Sequence, residues 1–85
     1  MSSIAFLNER IKNKDHVWIQ SDDGLKIYPY PDKGWVSYKC NDCGMHVVYD
    51  PFYAAFNWLD TDGKWKPDGG SVTKCSVFKV ENALG

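Results

Sequence analysis

The segment Cys40-Asn41-Asp42-Cys43-Gly44 constrains this chain more than any other. Two cysteines separated by two residues can aim both sulfurs at one point if the backbone turns tightly between them. The glycine that follows accepts the positive φ that such a turn requires. Residues Trp35 to Cys40 and Met45 to Tyr49 carry the β-branched and aromatic side chains of strands. The turn is therefore read as the tip of a β-hairpin with two thiols at its end.

The chain has 85 residues, enough for one domain (1–85) and one core. A domain this small buries a modest share of its surface and needs additional stabilisation. Large aromatic rings supply some, and a metal staple would supply more. Three cysteines is an odd number, unlike the even count of a secreted disulfide scaffold. Asn8, Glu9, Arg10 and Lys12 interrupt any apolar leader in Met1 to Lys14, and no run approaches the roughly 18 apolar residues of a membrane span. The expected location is cytoplasmic, where thiols stay reduced and a cysteine pair more often serves metal or redox chemistry.

Periodicity predicts an α+β fold. Residues 3–13 read as a helix with Ile4, Leu7 and Ile11 on one stripe, capped by Ser2 or Ser3. His16 to Gln20 reads as a strand, with Val17 and Ile19 in alternation. Asp22-Asp23-Gly24 reads as a hairpin turn, and Leu25 to Tyr30 as the return strand, confined to an edge by Pro29 and Pro31. The cysteine hairpin follows. Asp50-Pro51 then suggests a helix start, and Phe52, Ala55, Phe56 and Leu59 fall at helical spacing, which predicts a second helix over about 51–60. Residues 61–70 read as a loop. Val72 to Val80 reads as a final strand, with Phe78 and Val80 facing one way and Cys75 and Val77 the other. The expected architecture is a small antiparallel sheet of about five strands, made of two hairpins and a C-terminal strand, with two helices.

Residues Tyr38-Lys39-Cys40-Asn41-Asp42-Cys43-Gly44 resemble the knuckle of a zinc ribbon or a rubredoxin, over residues 36–50. The resemblance implies a zinc ion held by thiolates in tetrahedral geometry. A full zinc ribbon repeats the knuckle on a second hairpin. Here Cys75 arrives alone, and Phe78 stands where its partner would be. Three thiols then need a fourth ligand. His46 is the first candidate because it is close along the chain, and His16 is the other. The expected metal site is Cys40, Cys43, Cys75 and His46, with zinc as the cofactor. Two other readings compete. The cysteines can be buried free thiols acting as small hydrophobes, or Cys40 and Cys43 can be a redox pair. Redox-active pairs normally occupy a helix N-terminus, whereas here a hairpin follows.

The remaining motifs carry no chemistry. Asp60-Thr61-Asp62-Gly63 departs from a calcium loop, since Trp58 and Gly69 stand where acids are needed. No nucleophile triad or phosphate-binding glycine loop is present, and the chain is expected not to be an enzyme. Four Trp, five Tyr and four Phe exceed what one small core can bury. Tyr28, Tyr30, Trp35, Tyr53, Trp58 and Trp65 are the expected partner-binding surface. A net charge of -1 argues against a general electrostatic grip on nucleic acid. The favoured function is a non-enzymatic protein-binding module, monomeric or homodimeric. By analogy it would be a regulator or inhibitor of a host protein, since small chains of this kind are common among the phage and mobile-element proteins that block or redirect a host factor. The alternatives are a nucleic-acid-binding protein, using Lys39, Lys64, Lys66, Lys74 and Trp65, and a thiol redox protein.

Overall fold

The computed structural model describes residues 7, 15–67 and 72–84. In chain order the elements are β1 (Trp18–Gln20), α1 (Asp23–Ile27), β2 (Val36–Cys40), β3 (His46–Asp50), β4 (Ala55–Leu59), β5 (Trp65–Pro67) and α2 (Cys75–Leu84). The strands form one antiparallel sheet in the order β1-β2-β3-β4-β5. The chain is thus a small α+β fold with a five-stranded sheet and, among the described residues, two complete helices. None of these is long and apolar enough to cross a membrane.

Strand register sorts the side chains into two faces, because directly opposed residues share a face and successive residues alternate. One face carries Trp18, Tyr38, Cys40, Val47, Phe56 and Trp58. All are buried, and they form the core with Leu7, Met45, Val72, Cys75 and Phe78. The N-terminal helix expected over 3–13 lies outside the described residues except for Leu7, which is helical and fully buried. The other face carries Ser37, Lys39, His46 and Val48. There α1 packs on β2 and β3.

The cysteine hairpin forms as expected, with Val36 opposite Tyr49 and Lys39 opposite His46. The segment before it does not. Asp22-Asp23-Gly24 opens α1 instead of turning a hairpin, and Leu25 to Tyr30 is not a strand. The Asp22 carbonyl accepts from the Leu25 and Lys26 N–H groups at 3.1 and 3.3 Å, which winds the chain into a helical turn. Gly24 serves close approach and not a positive φ. A Cβ there would lie 3.1 Å from the Cβ of Ser37. The strand that pairs with β1 is therefore β2.

The expected helix over 51–60 is also corrected. Residues 51–54 form a turn and Ala55–Leu59 is β4. Asp50 Oδ1 accepts the Phe52 N–H at 2.9 Å, an Asx turn, and Ala54 takes the left-handed conformation at φ 49°. The decisive pair is Phe56 and Trp58, which alternate into the core at 0% and 2% exposure while Phe52 remains exposed. Period two wins over the helical stripe because it buries both rings of β4, Phe56 and Trp58, together.

The expected C-terminal strand is a helix. Cys75 and Phe78 are buried while Val77 and Val80 are exposed, a three-residue spacing that fits α2. Phe78 N–H donates to the Lys74 carbonyl at 2.8 Å, the first helical turn. The fifth strand comes instead from Trp65–Pro67, within the stretch read as a loop.

Candidate metal centre

Three chain segments converge on one point at the hairpin tip. Cys40 ends β2, Cys43 lies in the turn, and Cys75 opens α2. The segment entering β1 supplies the fourth group. Trp18 stands opposite Cys40, and the Val17 carbonyl accepts the Asn41 N–H at 2.7 Å. That pairing carries the chain ahead of β1 past the tip, and His16 projects to the same face as Trp18. The two rings stack at 4.8 Å. The alternation expected in this strand exists, but its buried members are His16 and Trp18, with Val17 and Ile19 outward.

The donor atoms of His16, Cys40, Cys43 and Cys75 all lie within 4.8 Å of one another, and all four residues are buried. Cys40 Sγ is 3.7 Å from Cys75 Sγ. Cys43 Sγ is 3.4 Å from His16 Nδ1. In a tetrahedral zinc site two sulfurs stand ~3.8 Å apart, and a sulfur and a nitrogen ~3.6 Å, from the usual bond lengths. These two edges of the cluster match that figure.

The tautomer of His16 follows from its other nitrogen. Nε2 lies 2.8 Å from the Thr73 carbonyl oxygen, which can only accept. Nε2 therefore carries the proton, and Nδ1 presents its lone pair to the sulfurs. An imidazole ligand held by a backbone carbonyl through its far nitrogen is the usual outer-sphere support of a metal-bound histidine.

The knuckle is shaped by its backbone. Gly44 adopts φ 83°, its N–H donates to the Cys40 carbonyl at 2.9 Å, and the Cys40 N–H donates to the Met45 carbonyl at 2.9 Å. The Val17 N–H donates to Cys40 Sγ at 3.4 Å. Burial pushes the Cys40 thiol up, but the hydrogen bonds its sulfur receives, led by those from the N–H groups of Cys43 and Val17, together outweigh it and bring it down to about 6. Burial pushes Cys43 up, and the neighbouring Cys40 adds to that. Burial likewise raises Cys75, to about 11, again with Cys40 adding. One sulfur leans toward thiolate while two resist a second and third negative charge. A cation at the centre removes that conflict, so the cluster can hold a metal ion.

His46 is not part of the cluster. Its register partner is Lys39, the neighbour of Cys40, so parity sends His46 to the opposite face of the sheet. There its Nδ1 is buried with no hydrogen-bond partner among the described residues, and burial, followed by the Lys39 charge, lowers its pKa. His16 occupies the position for which chain proximity favoured His46. The signal available in the sequence was parity across the hairpin.

The expected partner-binding residues separate into three groups. Trp58 is core, 2% exposed, and its Nε1 donates to the Pro67 carbonyl at 3.3 Å, so it is withdrawn from the surface set. Tyr28, Trp35 and Trp65 are half-buried and packed together, with centroid distances of 5.2 Å from Tyr28 to Trp35 and 4.9 Å from Tyr28 to Trp65. Tyr30 and Tyr53 are each 83% exposed, joined by Phe52, which was not anticipated, at 72%. Gly34 lies against Pro51, so the segment after Tyr30 meets the turn carrying Phe52 and Tyr53. This is the end of the β2–β3 hairpin away from the cysteines. Two of the lysines considered for nucleic acid are engaged with acids, Lys39 with Asp23 at 3.8 Å and Lys66 with Asp60 and Asp62.

Comparison with protein-family models, with curated proteins and with solved structures gave no match.

Proposed function

We propose that this chain is a structural-zinc domain that acts by binding another protein. His16 Nδ1 and the thiolates of Cys40, Cys43 and Cys75 hold one zinc ion. The zinc fastens the start of β1 and the first turn of α2 to the tip of the hairpin. The observation that carries this reading is the orientation of His16, whose Nε2 is committed to Thr73 and whose Nδ1 faces Cys43. Three soft thiolates and one imidazole in a tetrahedral cluster suit zinc better than the oxygen-seeking divalent ions. Four protein ligands leave no position for substrate, the mark of a structural and not a catalytic site. Metal binding would contribute directly to folding of a small domain.

The protein-binding half of the proposal draws on Tyr30, Phe52 and Tyr53. They offer large, exposed, amphipathic area of the kind enriched at interface hot spots. A regulatory or inhibitory role fits a chain in which no catalytic constellation was read. Native mass spectrometry of chain purified without chelator tests the metal. One zinc per chain is expected, and a bare polypeptide mass contradicts it. Capture of the partner by wild type but not by a Phe52→Ser, Tyr53→Ser double variant with unchanged zinc content tests the surface. Equal capture by the two contradicts it.

A further inference from the structure

Resting on the zinc reading above, we propose that Asp42 is the port of the clamp, the group through which a divalent cation enters and leaves. Each of the four donor residues has at most 8% of its surface exposed. Exchange therefore has to begin on an exposed group in contact with them. Asp42 meets that requirement. It lies between the two knuckle cysteines, its side chain is 57% exposed, and its Oδ2 is 3.5 Å from Cys75 Sγ. Its other oxygen is 3.2 Å from Lys79 Nζ. Lys79 stands four residues after Cys75 on α2, on the same side of the helix, with a side chain 59% exposed.

The chemistry is a hand-over between ligands. A hydrated divalent cation exchanges a water for a carboxylate oxygen at the surface, while thiolates are the preferred final ligands of zinc and cadmium. The incoming ion bonds to Asp42 as one water leaves it. Cys75 Sγ then breaks its bond to the resident zinc and bonds to the incoming ion. The remaining ligands follow. Each transfer, that of Cys75 included, displaces a water from the new ion while a water takes its place on the zinc, and the zinc departs hydrated as the Asp42 bond breaks. Thiolates pass from one dication to another, so no electron moves and no proton is needed. Lys79 opposes the first step, because its ammonium holds one carboxylate oxygen and repels a cation.

The test is exchange of zinc for cadmium in the intact, zinc-loaded chain, followed by cadmium–thiolate absorbance. Removing the carboxylate charge in Asp42→Asn is expected to slow exchange about tenfold, the lower end of electrostatic effects on association. Asp42→Glu restores the rate, and Lys79→Met raises it. All three variants keep one zinc per chain by native mass spectrometry. An Asp42→Asn chain that exchanges at the wild-type rate overturns the port. So does an Asp42→Asn chain that loses its zinc, since Asp42 would then belong to the coordination itself. A wild-type chain that holds neither metal overturns the zinc reading, and the port with it, before any variant is compared.

Discussion

The His16 imidazole donates from Nε2 to the backbone carbonyl of Thr73 across 2.8 Å, two residues ahead of Cys75. The segment that delivers one donor thus orients another. This bond selects which nitrogen faces the sulfurs and separates His16 from His46, whose Nδ1 is buried on the opposite face of the sheet. His16→Ala is expected to weaken zinc binding by at least about 100-fold, the upper range for loss of an outer-sphere partner alone. His46→Ala is expected to bind zinc like wild type. Competition with a chromophoric chelator measures both, and the reverse ranking would contradict the assignment.

If zinc occupies the cluster, chelation is expected to remove a tie between α2 and the sheet. Zinc extraction is expected to lower the melting temperature by at least about 10 °C, given about 4–8 °C per kcal/mol for a domain of this size. Cys75→Ser is expected to reproduce the loss and to be insensitive to added chelator. Scanning calorimetry with and without chelator reads both.

Gly44 and Gly63 adopt nearly the same conformation, φ 83° and 80°, and at either one a Cβ would meet no atom within 4 Å. Alanine at either position therefore costs backbone strain alone, about 1–2 kcal/mol. Only Gly44 shapes the knuckle. Gly44→Ala is expected to weaken zinc binding as well as stability, whereas Gly63→Ala loses stability with unchanged zinc affinity. Denaturant unfolding and chelator competition on the pair separate the two effects.

Asp60 fixes the turn between β4 and β5. Burial would raise its carboxyl, but the Lys66 ammonium and the Thr61 N–H, which donates at 2.7 Å, hold it below the usual carboxylate range. Asp60→Asn is expected to cost about 1.5–3 kcal/mol at neutral pH, as for hydrogen bonds to a charged group. The native pKa lies below the unfolded one, so the contribution is complete above the unfolded value and fades as pH falls through the native one. The gap between wild type and variant should be constant down to about pH 5 and shrink below about pH 4. Urea unfolding across that range measures it, and a gap that grows with acid would contradict the assignment.

Trp58 and Tyr53 test the division between core and surface. Trp58→Ala is expected to cost about 3–5 kcal/mol, as for a large buried ring. Tyr53→Ala is expected to fall within about 0.5 kcal/mol of wild type. Stability measured on the two variants checks the division, and a large loss at Tyr53 would refute it.

The hairpin and two of the four clustered residues, Cys40 and Cys43, were legible because Cys-x-x-Cys-Gly between two β-rich runs is a local pattern, and Cys75 was drawn in as the one remaining thiol. The helix–strand assignments after residue 50 were not. In Phe52 to Leu59 the apolar residues satisfy both periods, and only the tertiary competition to bury Phe56 and Trp58 decides between them. Cys75 to Val80 is equally ambiguous, since its β-branched residues favour a strand while its buried pair, Cys75 and Phe78, obeys helical spacing. Gly24 misled because glycine marks close backbone approach as readily as a turn. His16 was eclipsed by His46 because nearness in the chain outweighed parity. The exposed Phe52 was hidden by its place on the apparent helical stripe.

Zinc K-edge X-ray absorption on the purified chain tests the central claim most directly. The predicted result is one zinc per chain with three sulfur neighbours at about 2.3 Å and one nitrogen neighbour at about 2.0 Å. A zinc shell made of oxygen and nitrogen, or a chain that carries no zinc, would contradict it.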